Sequence, residues 1–385
     1  MPPRFDDVPI KSLYTREIYD AVTRDGWVLQ VTRYKPVPQS FAQPLAGEPL
    51  LLVPGWSQNR HAFSCGDFVK HLLYDGADVH ILELRGHGRS SRELQLERAA
   101  QDGRALPRDL DWDWDLDSYL LEDLPAGVRA VKERSGREKI TLVGNSMGGM
   151  LAYGYAAQHR DLLALATLAA PGELGRGYLA LRLLERAIDR WAGPASAPPV
   201  PRRFSHIPMD RWLQLLAGIT TPKNLARFVR LRALALRMGS LVNPKRVAHD
   251  EMLWLLQRGG EKEPRKVVEQ FARWIRDGQM RCERTGFDYQ RGFKDIDVPL
   301  AILYGDRDRL ASRDSTGVVA RAAGSEYKLW RSVAENSHLE LTMGADVRHC
   351  CEAIRELVLF ARSRRSSLPA RPAMALRALA LEASP

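Results

Sequence analysis

KITLVGNSMGGMLAYGYA, residues 139–156, joins a run of β-formers to a helical pattern through one serine set among glycines. Ile140, Thr141, Leu142 and Val143 favour a strand, and apolar residues at helical spacing begin just past Ser146. A sharp strand-to-helix turn lifts a side chain clear of the backbone, but it crowds the positions two before and two after it. Gly144 and Gly148 supply the small residues that such a turn needs, and Gly149 adds room. The spacing therefore predicts a strand, a turn that presents Ser146, and a helix from Gly148 whose N-terminal dipole favours negative charge beside the serine.

The same rhythm extends outward in both directions. Residues 16–36 alternate and turn at Asp25-Gly26, a hairpin signal. EPLLLVPGW, GADVHILELRGHGRSS, LLALATLAAPG, VPLAILYGDRD and SEYKLWRSV are short, mostly apolar runs separated by helical stretches. That pattern indicates a mostly parallel, doubly wound sheet with both faces covered. Ligand chemistry in such sheets sits beyond the carboxyl ends of the strands. Gly55, Gly86, Gly144, Gly172 and Gly305 all follow apolar runs, at that edge.

A nucleophilic serine needs a base, and the base needs an orienting carboxylate. Of nine histidines, His338 is the one in a polar, turn-like loop after the last expected strand. His87 in RGHGRS reads as a turn residue and His61 as a surface-loop residue. Asp308 ends the VPLAILYGDRD run and lies far enough into the loop to turn towards His338. Asp306 then becomes a turn residue, and Glu173 is a weaker acid. An oxyanion needs backbone donors: the N–H of Met147, next after the nucleophile, and the N–H of Trp56, after the LLLVPG run. No ligand cluster suggests a metal, and no cofactor is expected.

The 385-residue chain has 45% apolar residues and a net charge of +10. Between residues 172 and 295 stand 24 Lys+Arg against 13 Asp+Glu, and residues 361–385 hold five Arg and one Glu. The basic character thus belongs to a middle insert and a tail. The insert carries a Pro-rich joint (AGPASAPPVPRRF) and helical stretches DRWLQLLAGI, NLARFVRLRALALRM and KVVEQFARWIRDGQM. Its apolar residues read as its own core, and its charges, interleaved with Asp and Glu, read as a solvated face rather than a nucleic-acid surface. An anionic substrate or membrane surface is a further use for it. Expected organisation is a core of residues 1–171 and 296–362, a helical lid at 172–295, and a loosely ordered basic tail at 363–385. Cys65, Cys282, Cys350 and Cys351 show no C-x-x-C pairing. With no membrane-length apolar run and no signal-peptide pattern, they suit a cytoplasmic protein with at most peripheral membrane contact.

RGHGRSS, LVGNSMGG, LYGDRDRLAS and NSHLEL together resemble the α/β-hydrolase superfamily, over residues 16–171 and 298–359. TRDGWVLQVTRY and DWDWDLDSYLLEDLPAGVRAV are similar to stretches of acid-lipase-like enzymes, which cleave carboxylic esters of lipids. The resemblance implies an α/β-hydrolase fold with a large helical lid inserted before the acid-bearing strand. It implies a serine esterase acting on small-molecule or lipid esters through an acyl-enzyme. Such lipases usually have His-Gly where this chain has Pro54-Gly55, and G-H-S-x-G where it has Asn145. Acyl transfer, carbon–carbon bond hydrolysis and a non-catalytic binding scaffold are the alternatives on the same residues.

Overall fold

The computed structural model describes residues 4–103, 105–106, 110–176, 206–208, 210–211, 214 and 241–367. Its strands are β1 (Tyr14–Val22), β2 (Val28–Pro36), β3 (Pro49–Val53), β4 (Asp78–Glu83), β5 (Ile140–Asn145), β6 (Leu162–Leu168), β9 (Leu300–Gly305) and β10 (Lys328–Val333), with β7 (His206–Ile207) and β8 (Glu263–Pro264) forming a separate ribbon. The eight-stranded sheet has the order β1-β2-β4-β3-β5-β6-β9-β10. β1 and β2 form the antiparallel hairpin expected at Asp25-Gly26, and β2 meets β4 antiparallel. From β4 to β10 every pairing is parallel.

The principal helices are α1 (Phe68–Tyr74), α2 (Arg92–Gln101), α3 (Leu124–Ser135), α4 (Met147–Gln158), α5 (His249–Arg258), α6 (Arg265–Asp277), α7 (Arg313–Ala322) and α8 (Val347–Ser367). Strand side chains alternate between two apolar layers, as the period of two requires. Leu51, Val53, Leu142, Leu300 and Ile302 pack on one face with α3, α4 and α7. Leu50, Leu52, Val143, Ala301 and Leu303 pack on the other with α1 and α8. Burial on both faces is why these strands read as continuous apolar runs instead of alternating ones.

Of the insert's three expected helices, only the last lies fully among the described residues, as α6; NLARFVRLRALALRM lies outside them and DRWLQLLAGI mostly so. Val267, Trp274 and Ile275 of α6, with Tyr289 and Phe293 beyond it, join the layer that covers α3 and α4. Residues 265–295 are thus packed into the main core. At the other end of the chain, α8 continues to Ser367, and residues 368–385 lie outside the described set.

One buried charge cluster ties the hairpin to the parallel sheet. Arg85, just past β4, is fully buried and pairs at 2.7 Å with both Asp123 and Asp25. Burial pushes the Asp123 carboxyl up to about 6 even with Arg85 beside it. Removing one partner strands the other charge in an apolar setting. Arg85→Met is expected to lower the unfolding free energy by about 3–5 kcal/mol, read from a urea transition; a loss under about 1 kcal/mol would refute this account.

Candidate active site

Ser146 sits at φ 50°, ψ −118°, between the end of β5 and the start of α4. A non-glycine residue there carries strain of about 1–3 kcal/mol, which persists only where the surroundings enforce it. The Ser146 N–H donates to the Leu168 carbonyl at 2.8 Å, and its own carbonyl accepts from Gly149 and Met150 at 3.0 Å each. A Cβ on Gly144 would lie 2.5 Å from the Gly148 oxygen and the Gly149 Cα. One on Gly148 would run into the Val53 carbonyl and lie 2.5 Å from that of Pro54. Both glycines are therefore demanded by close backbone approach, as the spacing suggests.

The structure brings Ser146, His338 and Asp308 into one hydrogen-bonded row. Ser146 Oγ is 2.8 Å from His338 Nε2, and His338 Nδ1 is 2.8 Å from Asp308 Oδ2. A carboxylate only accepts, so the proton of the pair sits on Nδ1, leaving Nε2 to accept from the serine hydroxyl. Asp308 Oδ1 takes N–H bonds from Leu310 at 2.8 Å and Ala311 at 3.0 Å. These hold the carboxylate in the loop after β9. The His338 loop is held by residues 241–243, since the Leu241 carbonyl accepts from the His338 and Leu339 N–H groups. Glu340, fully buried, accepts from Ser337 N–H at 2.9 Å and from Asn243 N–H. Burial works to lower the His338 pKa, and the Asp308 carboxylate, with Glu340 beyond it, outweighs this and raises it.

The loop after β3 lies against the serine: a Cβ on Gly55 would be 3.1 Å from Ser146 Cβ. Gln58 Oε1 accepts from Gly55 N–H at 3.1 Å and from Asn145 Nδ2 at 3.3 Å. That bridge fixes the two turns relative to each other and gives Asn145 its place in the elbow. The N–H groups of Trp56 and Met147 have no acceptor among the described residues.

Other candidates fall elsewhere. Asp306 is exposed. Glu173 pairs with Arg176. His61 accepts from Trp254 Nε1 at 3.2 Å, and burial together with Arg60, Arg258 and Arg89 pushes its pKa down to about 4. His87 is not a simple turn residue: it is fully buried, with Nε2 3.1 Å from Glu263 Oε1. Gln58, Glu340 and Glu263 were missed by sequence reasoning. A polar Gln two positions past Trp56, and a Glu two positions past His338, were the signals present. Among the described residues no cluster of metal-ligating side chains occurs, and no helix is long and apolar enough to cross a membrane.

Residues 48–339 match the sequence model of a family described as having the alpha/beta hydrolase fold. The chain is 25% identical over 169 residues to a tear acid lipase-like protein of Mesocricetus auratus, covering 41% of this chain and 39% of that one. It is 28% identical over 147 residues to lipase member M of Homo sapiens, covering 36% and 32%. With sterol esterase 2 of Saccharomyces cerevisiae it shares 24% over 192 residues, covering 45% and 34%. The chain thus spans only about a third to two-fifths of the length of these relatives. Among solved structures, a bacterial membrane phospholipase A aligns with TM-score 0.52 and 16% identity, covering 90% of this chain and 87% of that one. An esterase from Thermogutta terrifontis aligns with TM-score 0.51 and 15% identity, covering 90% and 99%. At such identity these two show a shared fold.

The elbow's dependence on close approach is directly testable. Gly148→Ala is expected to cost about 3 kcal/mol, the upper end for overpacking, because backbone carbonyls cannot yield as side chains do. A urea transition within 1 kcal/mol of the parent would show that the two turns are not in such contact.

Proposed function

The chain belongs to the α/β-hydrolase family, and from that premise we propose that it hydrolyses carboxylic esters, lipid esters among them, through an acyl-enzyme on Ser146. The observation that carries this reading is the row Ser146 Oγ–His338 Nε2 and His338 Nδ1–Asp308 Oδ2, with both distances at 2.8 Å. Ester lipids enter the reading because lipases and a sterol esterase are among the relatives.

In this reading Ser146 Oγ attacks the ester carbonyl carbon as its proton passes to His338 Nε2. Asp308 steadies the resulting imidazolium through the Nδ1–H bond. The carbonyl oxygen gains the negative charge, and the Trp56 and Met147 N–H groups, free of other acceptors, receive it. Met147 opens α4, so its N–H lies where the helix dipole is positive. Collapse of the tetrahedral adduct breaks the bond to the alcohol oxygen, which leaves with the proton from Nε2. Water, deprotonated by His338, then attacks the acyl-enzyme, and the new adduct collapses by breaking the bond to Ser146 Oγ, which takes the proton back from Nε2 as the acid departs. Phe271 of α6 packs edge-on against Trp56 with ring centroids 6.4 Å apart. In this reading Phe271, from the expected lid region, borders the acyl pocket beside Trp56.

Hydrolysis of p-nitrophenyl esters from acetyl to palmitoyl tests the reading. Ser146→Ala is expected to lower kcat by roughly 10⁴-fold or more, and Asp308→Asn by about 10⁴-fold, with KM little changed. Absence of wild-type turnover across the series would remove the general-esterase reading.

The pH profile supplies an independent check. His338 must be neutral to accept the proton, and its pKa lies above the ordinary value of 6.5. Activity should therefore fall on the acid side of a limb displaced upward from an ordinary histidine. Glu340 contributes to that displacement through its charge. Glu340→Gln is expected to move the acid limb of kcat/KM to lower pH, and an unmoved limb would exclude Glu340 from the site's electrostatics.

A further inference from the structure

Residues 258–263, from the last residue of α5 towards α6, run alongside the loop that carries Trp56. Gln58 and Gly260 form an antiparallel bridge. Asn59 N–H donates to the Gly259 carbonyl at 3.2 Å, and Glu261 N–H to that of Ser57 at 3.0 Å. Ser57 Oγ donates to the Glu261 carbonyl at 2.6 Å. Asn59 Nδ2 donates to the Arg258 carbonyl at 2.7 Å and to Glu261 Oε1 at 2.5 Å. This segment therefore grips three consecutive residues, Ser57, Gln58 and Asn59.

The grip is centred on one carboxylate. Ser57 lies in the left-handed region at φ 56°, a conformation that a serine keeps only when it is held. Its N–H donates to Glu263 Oε1 at 2.5 Å. Glu263 is fully buried, with His87 Nε2 3.1 Å from Oε1 and Tyr119 Oη donating to Oε2 at 3.3 Å. Tyr119 is fixed in turn by Trp114 Nε1 at 2.7 Å. Burial works against a charge on His87, but the Glu263 carboxylate outweighs it and raises the pKa, with Glu261 and Asp123 adding. On the other side of Trp56, Gly55 N–H is held by Gln58 Oε1. The Trp56 N–H is thus the one free donor between two anchored neighbours.

We infer that Glu263 is a positioning residue for the oxyanion donor: by accepting the Ser57 N–H it holds the Trp56–Ser57 turn in its left-handed form, so that the Trp56 N–H stays open beside Ser146. The inference rests on the reading of Ser146 as nucleophile. It makes the seating of residues 258–263, which belong to the insert, a condition for stabilising the transition state. A carboxylate suits this task because its bond to an N–H is charge-assisted and short, and because Tyr119 Oη donates to its other oxygen while His87 faces it inside the core.

Two conservative variants separate this role from plain stabilisation. Glu263→Gln keeps an acceptor oxygen at full reach, whereas Glu263→Asp keeps the charge opposite His87 but withdraws from Ser57 by one methylene. If the acceptor position matters, Glu263→Asp lowers kcat by about 10²-fold, the scale of one lost oxyanion donor, with KM within about threefold. Glu263→Gln then stays within about tenfold of the parent. Binding of phenylboronic acid, whose tetrahedral adduct needs the same donors, should weaken for Asp in step with kcat. Hydrogen exchange over residues 55–60 should quicken for Asp and not for Gln. An Asp variant with parental kcat, or a Gln variant as impaired as Asp, would overturn the inference while leaving the esterase reading intact. A wild-type protein that neither turns over the ester series nor is labelled at Ser146 by a fluorophosphonate would overturn both together.

Discussion

The close approach of two strand ends beneath one helix is the constraint on which the rest depends. β3 and β5 are parallel neighbours, and α4 descends onto them so tightly that positions 144 and 148 have no space for a Cβ. That contact bends the chain into the strained conformation of Ser146. It also lays the loop after β3 against the serine, with Gly55 close to Ser146 Cβ. Strain at one residue is sustained by burial of the whole sheet, whose strands pack apolar side chains on both faces. A stiff sheet is therefore a requirement for the turn as well as for stability.

Around this frame, fully buried acidic groups act as fasteners between loops that are remote in sequence. Asp123 anchors Arg85, which reaches Asp25 in the β1–β2 turn, Glu340 joins the His338 loop to residues 241–243, and Glu263 joins residues 258–263 to the Trp56 loop. Each accepts from backbone N–H groups or faces a cation, so the cost of burying a carboxylate is offset where it lies. The arrangement confers geometry more than net stability, because a buried ion pair contributes little over a packed apolar pair. Of these, Glu340 and Glu263 fasten the loops that present His338 and Trp56.

Much of this was legible in the chain itself. The strands, the hairpin at Asp25-Gly26 and the elbow glycines follow from local patterns of apolar runs and glycine spacing, and Ser146, Asp308 and His338 were each legible as polar residues in loops after strands, in the α/β-hydrolase order. What escaped was long-range. Gln58 reaches Asn145 across 87 positions, Glu340 reaches Asn243 across 97, and Glu263 reaches Ser57 across 206. An isolated Gln or Glu in a polar loop looks the same whether it meets water or a buried N–H. His87 illustrates the same blindness, since RGHGRS reads as a turn and only the fold encloses it. The substitution of Asn145 for the lipase-type histidine was visible as a departure, but its reason, the Gln58 bridge, was not.

The sequence by itself determined the parallel sheet, its order of strands and helices along the chain, and the serine-bearing turn. Period and steric need are written locally, within a few residues of each position. Tertiary structure alone decided which polar side chains would be dry and what would satisfy them. Burial of Glu263, Glu340 and His87 depends on loops from distant parts of the chain closing over them. The partner of a buried charge is chosen by that closure, not by its neighbours in sequence.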